Sequence, residues 1–214
     1  MRSALLRALT ALLLLHGWRS GQATSMQNGA LEFSCSVFPA STSEADLIAR
    51  YGAENVVTAP VFGFDDGPSE GTVLFPDSAD ARLQIIWLDP ESKRRPAWIF
   101  VRGENSRWRT PNGITLGNDL LMLEKANRRP FRLNGFAREG SSSGMVLSWA
   151  GGFLETPSSE VCTLMIHMFP RPRPDVPMEV SRQVARGADY SSGHPAMQEL
   201  NPRVVSFTIT YPRR

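Results

Sequence analysis

The sequence predicts an α+β protein, with antiparallel meander sheets carrying short helices. Three observations predict it. Apolar and polar residues alternate in short runs, as in Leu83, Ile85 and Trp87 against Arg82 and Gln84. A period of two belongs to a strand with one face on a core. Turn-forming clusters separate the runs, among them Asp65-Asp66-Gly67-Pro68, Asp77-Ser78-Ala79-Asp80, Asp89-Pro90 and Gly103-Glu104-Asn105. Only two short stretches carry helical spacing behind a capping residue.

The chain opens with a stretch that does not belong to the fold. Arg2 and Arg7 accompany a short apolar run, Ala8 to Leu15, and Gly21-Gln22-Ala23 follows with small residues. A membrane span needs about 20 apolar residues, so this run is too short to be one. The pattern predicts a cleaved secretory signal over residues 1–23. Glu32-Phe33-Ser34 before Cys35 is not the small apolar set of a lipoprotein signal. Residues 24–214 are then expected to form one compact domain, periplasmic or secreted, with no transmembrane span. The signal also explains the charge. The whole chain has a net charge of +2, but without Arg2, Arg7 and Arg19 it keeps 20 basic and 21 acidic residues. That near-neutral balance gives no electrostatic footprint for nucleic acid.

The elements follow in order. Leu31 to Phe38 reads as a strand. Ser43 caps a helix, with Asp46 in the capping-box position, Ala45, Ile48 and Tyr51 as its inner stripe and Gly52 as a left-handed stop. Strands are expected at Val56 to Phe62, Thr72 to Phe75, Arg82 to Leu88, Trp98 to Val101 and Arg107 to Thr110. Asn118 caps a second helix with Asp119 at its positive end, Leu120, Leu123 and Ala126 inside, and Asn127 in the left-handed position. Phe131 to Phe136, Met145 to Trp149 and Val161 to Phe169 are further strands. Pro170 to Pro177 is an extended proline-rich loop, and Val204 to Tyr211 alternates as a terminal strand.

The two helical segments look alike. A shift that sets Ala45 on Leu120 also sets Ile48 on Leu123, Tyr51 on Ala126 and Gly52 on Asn127. Two similar helix-plus-sheet halves are expected, about 31–110 and 111–214. The segments Tyr51-Gly52-Ala53-Glu54-Asn55-Val56, Thr110 to Gly117, Pro130-Phe131, Gly135-Phe136, Ser148-Trp149-Ala150-Gly151-Gly152 and Asn201-Pro202-Arg203-Val204 cover much of the chain. Through them the sequence resembles a class of uncharacterised exported bacterial proteins. A short helical segment feeding a meander, twice over, resembles the tandem repeats of beta-lactamase inhibitory protein and the small outer-membrane-assembly lipoproteins. The resemblance implies a binding surface rather than an active site. After Gly135-Phe136, however, Ala137-Arg138-Glu139-Gly140 and a serine run stand where aromatic and acidic residues would fit it.

Catalytic motifs are sparse. Beyond the signal only His167 and His194 remain, with no HExxH and no paired CxxC, so no metal site is expected. His167 shares a strand face with Thr163 and Met165, and His194 lies in a loop beside Ser192. Gly140-Ser141-Ser142-Ser143-Gly144 matches a nucleophile elbow in composition only. Asp65-Asp66 and Asp77 with Asp80 read as turn formers rather than paired carboxylates. No phosphate-binding glycine motif occurs, and no cofactor is expected. Arg171-Pro172-Arg173-Pro174-Asp175-Val176-Pro177 reads as a loop rather than a docking ligand. Cys35 and Cys162 either form one disulfide or stay as two buried thiols.

Aromatic residues remain. Trp87, Trp98, Trp108 and Trp149 all fall in strands, and Arg107 and Arg109 flank Trp108. Core packing accounts for any of them. On a sheet face without a helix they would form an interaction surface. The reading is a non-catalytic binding protein of the cell envelope, whose partner is another envelope or secreted protein. A hydrolase with a dispersed active site and an envelope-assembly accessory are the alternatives.

Overall fold

A computed structural model describes residues 29–63, 67–136, 144–155, 161–171, 175–185 and 188–212. The expected signal, Asp65-Asp66, the stretch Ala137 to Ser143 and the centre of the proline-rich motif lie outside them.

Local signals set the first elements. Leu31–Glu32 forms β1, which is shorter than the expected strand because the chain turns at once. Phe33 still donates its N–H to the Arg109 carbonyl, and the Phe38 N–H closes back on the Ser34 carbonyl. Ser43 and Asp46 form the expected capping box of helix α1, Glu44–Tyr51. Its inner stripe differs from the expectation. Leu47 is buried, whereas Ala45 and Ile48 are exposed. Glu44 decides this, because its carboxylate accepts from Thr72 Oγ1 and pairs with Lys93 Nζ at 3.2 Å. Those bonds turn the Glu44–Leu47–Tyr51 edge inward. Gly52 ends the helix at φ 89° and ψ 145°, a positive φ outside the left-handed helical basin.

Four strands follow as a meander: β2 Val56–Phe62, β3 Pro68–Leu74, β4 Leu83–Asp89 and β5 Arg94–Arg102. In β4 the alternation holds, with Leu83, Ile85 and Trp87 buried. The short β6, Trp108–Arg109, leaves this sheet and pairs in parallel with β1. Helix α2 spans Leu120–Asn127. Its cap is Asp119, which accepts from Met122 N, while Asn118 Oδ1 accepts from Thr115 N instead. Leu120 and Leu123 are buried but Ala126 is exposed. The left-handed residue is Arg128 at φ 62°. Asn127 is the last helical residue, and its buried side chain bonds Arg129 O, Trp149 O and Leu154 N. A Cβ on Gly152 would meet that amide at 2.1 Å, so the chain can pass there only as glycine.

The remaining elements are β7 Arg132–Asn134, β8 Gly144–Ser148, β9 Thr163–Phe169, α3 Met178–Arg182, β10 Asp189–Ser191, α4 Pro195–Leu200 and β11 Arg203–Thr210. Among the described residues nine strands form one antiparallel sheet, in the order β10-β7-β8-β9-β11-β5-β4-β3-β2. The fold is thus α+β, an antiparallel meander with short helices. After α1 the strands step inward from β2 to β5, and after α2 from β7 to β9. The last strand, β11, closes the centre between β9 and β5. None of the described helices is long and apolar enough to cross a membrane.

A single core cluster joins α1 through Leu47, α2 through Leu120 and Leu123, and α4 through Met197 and Leu200. Phe33, Phe38, Trp108 and Phe207 form its aromatic centre, with ring centroids 5.8–6.2 Å apart. Cys35 and Cys162 are bonded, with Cα atoms 6.1 Å apart across 127 residues of sequence. In the chain-entropy model a loop of that length stabilises the fold by about 5 kcal/mol.

Candidate functional site

Register assigns every strand residue to one of two faces, because directly paired residues point the same way. On the helix-bearing face Ile85, Ile99, Ile209 and Leu164 lie in one row, and Val101, Phe207 and Ile166 in the next. All seven belong to the core cluster or pack against it.

The opposite face carries three other rows. Ile86, Trp98, Thr210 and Thr163 form one. Val57, Val73, Gln84, Phe100, Thr208 and Met165 form the second. Arg102, Ser206, His167 and Met145 form the third. None of their apolar members belongs to the core cluster. Val73 and Phe100 are nevertheless buried, while Trp98, Ile86 and Met165 are half-buried.

The polar groups sit inside this aromatic and aliphatic field. Arg102 lies with its guanidinium carbon 4.9 Å over the Phe100 ring, and its Nη1 donates to the Phe62 carbonyl at 3.2 Å. Burial pulls its pKa below the ordinary arginine value. His167 is 9% exposed, and its pKa falls to about 4, first through burial and then through the positive Arg102. It is therefore a neutral imidazole at neutral pH. Thr208 is fully buried, and its Oγ1 has no hydrogen-bond partner among the described residues. The face thus presents the half-buried Trp98 and Met165 and the exposed Arg102, with Phe100, the neutral His167 and Thr208 buried among them. That is equipment for holding a ligand with both apolar and polar parts.

The six residues expected to form an aromatic and arginine surface do not share one. Trp87 is buried, and its Nε1 donates to Thr72 Oγ1 at 2.8 Å. Trp108 is buried because β6 leaves the main sheet for β1, and its Nε1 donates to the Ala81 carbonyl at 2.7 Å. Trp149 is buried against Phe131, with centroids 5.0 Å apart. Arg107 pairs with Asp80 at 3.0 Å, and Arg109 is exposed. Of the set, Trp98 alone lies on the outer rows. Sequence alone does not single out Phe100, Arg102 and Thr208. The near-continuous apolar run Trp98-Ile99-Phe100-Val101 was the available signal, since such runs occur where both faces of a strand are covered.

The other polar clusters are structural. Ser192 Oγ donates to the Glu124 carboxylate and accepts from Phe131 N at 2.9 Å, and Gln198 Nε2 reaches the same carboxylate at 3.1 Å. This ties α2 to the turn before α4. His194 Nδ1 caps α4 by accepting from Ala196 N at 3.2 Å, so it serves the backbone rather than Ser192. Among the described residues no three His, Cys, Asp or Glu side chains are grouped to hold a metal ion. Compared with known proteins, the chain matches no family model, no curated sequence and no solved structure.

Proposed function

We propose that this chain is an exported, non-catalytic binding protein of the cell envelope, and that its ligand docks on the outer face of the central strands. One observation carries the reading. The alternating residues of β4, β5, β9 and β11 divide into a set that joins the helix core and a set that does not. The second set still holds Trp98, Phe100, Met165, His167 and Arg102. A sheet face turned only to water would not also carry the buried Val73 and Phe100 and the half-buried Trp98 and Met165.

Export rests on the N-terminal charge and apolar pattern and on the Cys35–Cys162 bond, which suits an oxidising compartment. The resemblance to exported bacterial proteins points the same way. Its partner on this reading is another envelope or secreted protein. The hydrolase alternative has less behind it. A general base should sit beside a group that holds its charge, whereas burial first and then the positive Arg102 depress the His167 pKa.

The test is capture from an envelope extract with wild-type protein and with a Trp98→Ala/Arg102→Gln variant, both checked for native circular dichroism. A partner that the wild type retains should bind the variant at least 10-fold more weakly. A partner held equally by both would overturn the assignment to this face. Turnover in a hydrolase screen that is lost in His167→Gln would overturn the non-catalytic reading.

A further inference from the structure

A second surface lies away from these rows, on the outside of α2. Its inner residues are Leu120, Leu123 and Asn127, so helical spacing turns Leu121, Met122 and Lys125 outward. Leu121 and Met122 are among the exposed large apolar side chains, at 45% and 55%. The helix ends at Arg128, whose guanidinium carbon stands 4.7 Å over the Phe153 ring. Phe153 is anchored there by its N–H to the Asn127 carbonyl, and its side chain is 68% exposed. Arg129 is exposed beside it.

The three cations have no carboxylate within ion-pair distance among the described residues. Nearby acids are engaged elsewhere, Glu155 with Gly151 N and Glu124 with Ser192 and Gln198. Complementing the helix dipole accounts for Lys125 and Arg128. It does not account for a phenylalanine and a methionine held in water beside them.

We propose that this corner seats the protein on an anionic phospholipid surface. Apolar anchors rimmed by basic residues match a bilayer interface, where aromatic and aliphatic side chains enter the acyl boundary and cations meet headgroups. Size argues against a protein partner. An eight-residue helix is about 12 Å long, and a strip of that length falls well short of the ~800 Å² that a stable partner buries.

The test is sedimentation with vesicles of phosphatidylcholine, with and without phosphatidylglycerol. The protein is used as recovered from expressing cells, its N-terminus read by mass spectrometry. Binding should require phosphatidylglycerol and weaken with salt. Each basic residue near such a surface contributes about a fivefold factor, so Lys125→Gln/Arg128→Gln/Arg129→Gln should lose roughly 100-fold. Phe153→Ser, an exposed site that leaves the fold intact, should also weaken binding. Equal binding to neutral vesicles, no binding to either, or a triple variant that binds like wild type would each overturn the proposal. So would self-association without vesicles that Phe153→Ser abolishes, since that would assign the corner to a second copy of the chain.

Discussion

Strand β11 runs through the middle of the sheet, between β9 and β5, yet its two faces do different work. Phe207 and Ile209 point into the helix core and are fully buried. Ser206 and Thr208 point the other way and are almost as inaccessible, at 6% and 0%. The first pair is surrounded by Val101, Ile99, Ile166 and Leu164 in cross-strand register. The second is surrounded by Arg102, Phe100, His167 and Met165. Equal burial therefore does not mean equal role. Around β11 the first face is apolar, as a core built for stability should be. The other buries an imidazole and a hydroxyl where each costs desolvation, with the exposed Arg102 beside them, which a fold tolerates where recognition uses them.

The sharpest way to break this comparison is to cut the same kind of residue from each face. Phe207→Ala removes a fully buried ring from the aromatic centre and should cost about 4 kcal/mol. Trp98→Ala removes a half-buried ring from the outer rows and should cost less than half as much. Reversible urea denaturation of both variants decides it. Equal losses would mean that the outer rows are a second stabilising core.

Sequence made one side of this legible and not the other. The Ser43–Asp46 box and the Leu83, Ile85, Trp87 alternation are local, and both stand in the structure as read. The inner stripe of α1 is not legible locally, because a side chain far along the chain, Thr72, holds Glu44 inward. Trp108 and Trp149 looked like the rest of the tryptophans until pairing put one beside β1 and the other under Phe131. Alternation in β9 sets His167 on one strand face with Thr163 and Met165, but its neighbour Arg102 arrives through β11, across two registers. Alternation reports which residues share a face of one strand. It cannot report which strand lies next, and the outer rows are made of that information.

A smaller effect comes from pH. The folded-state pKa of His167 is about 4, below its ordinary value of 6.5. The folded protein therefore binds fewer protons than the unfolded chain between those values. Its contribution is complete above pH 6.5 and declines as pH falls through the folded pKa near 4, on the order of 3 kcal/mol over that window. Denaturation midpoints measured from pH 7 to pH 4 should fall in wild type and flatten in His167→Gln. An unchanged slope would show that the outer face does not hold this imidazole away from water.

The smallest effect should separate the faces most cleanly. Thr208→Val keeps shape and removes the hydroxyl that has no hydrogen-bond partner among the described residues. On a face that serves only stability such a change should help, since a buried polar group without a bond costs roughly 1–3 kcal/mol. The expected gain is about 1 kcal/mol or less, because the neighbouring Phe100 and Met165 already fill the row. A residue that costs stability where it stands invites a reason for being there. If the outer rows bind a ligand with a polar group, Thr208→Val should raise the denaturation midpoint and weaken capture together. A variant that is more stable and binds unchanged would leave the hydroxyl without a role and move the ligand toward Trp98 and Arg102. One that is less stable would show that Thr208 Oγ1 is satisfied in solution, and that the two faces differ less than their residues suggest.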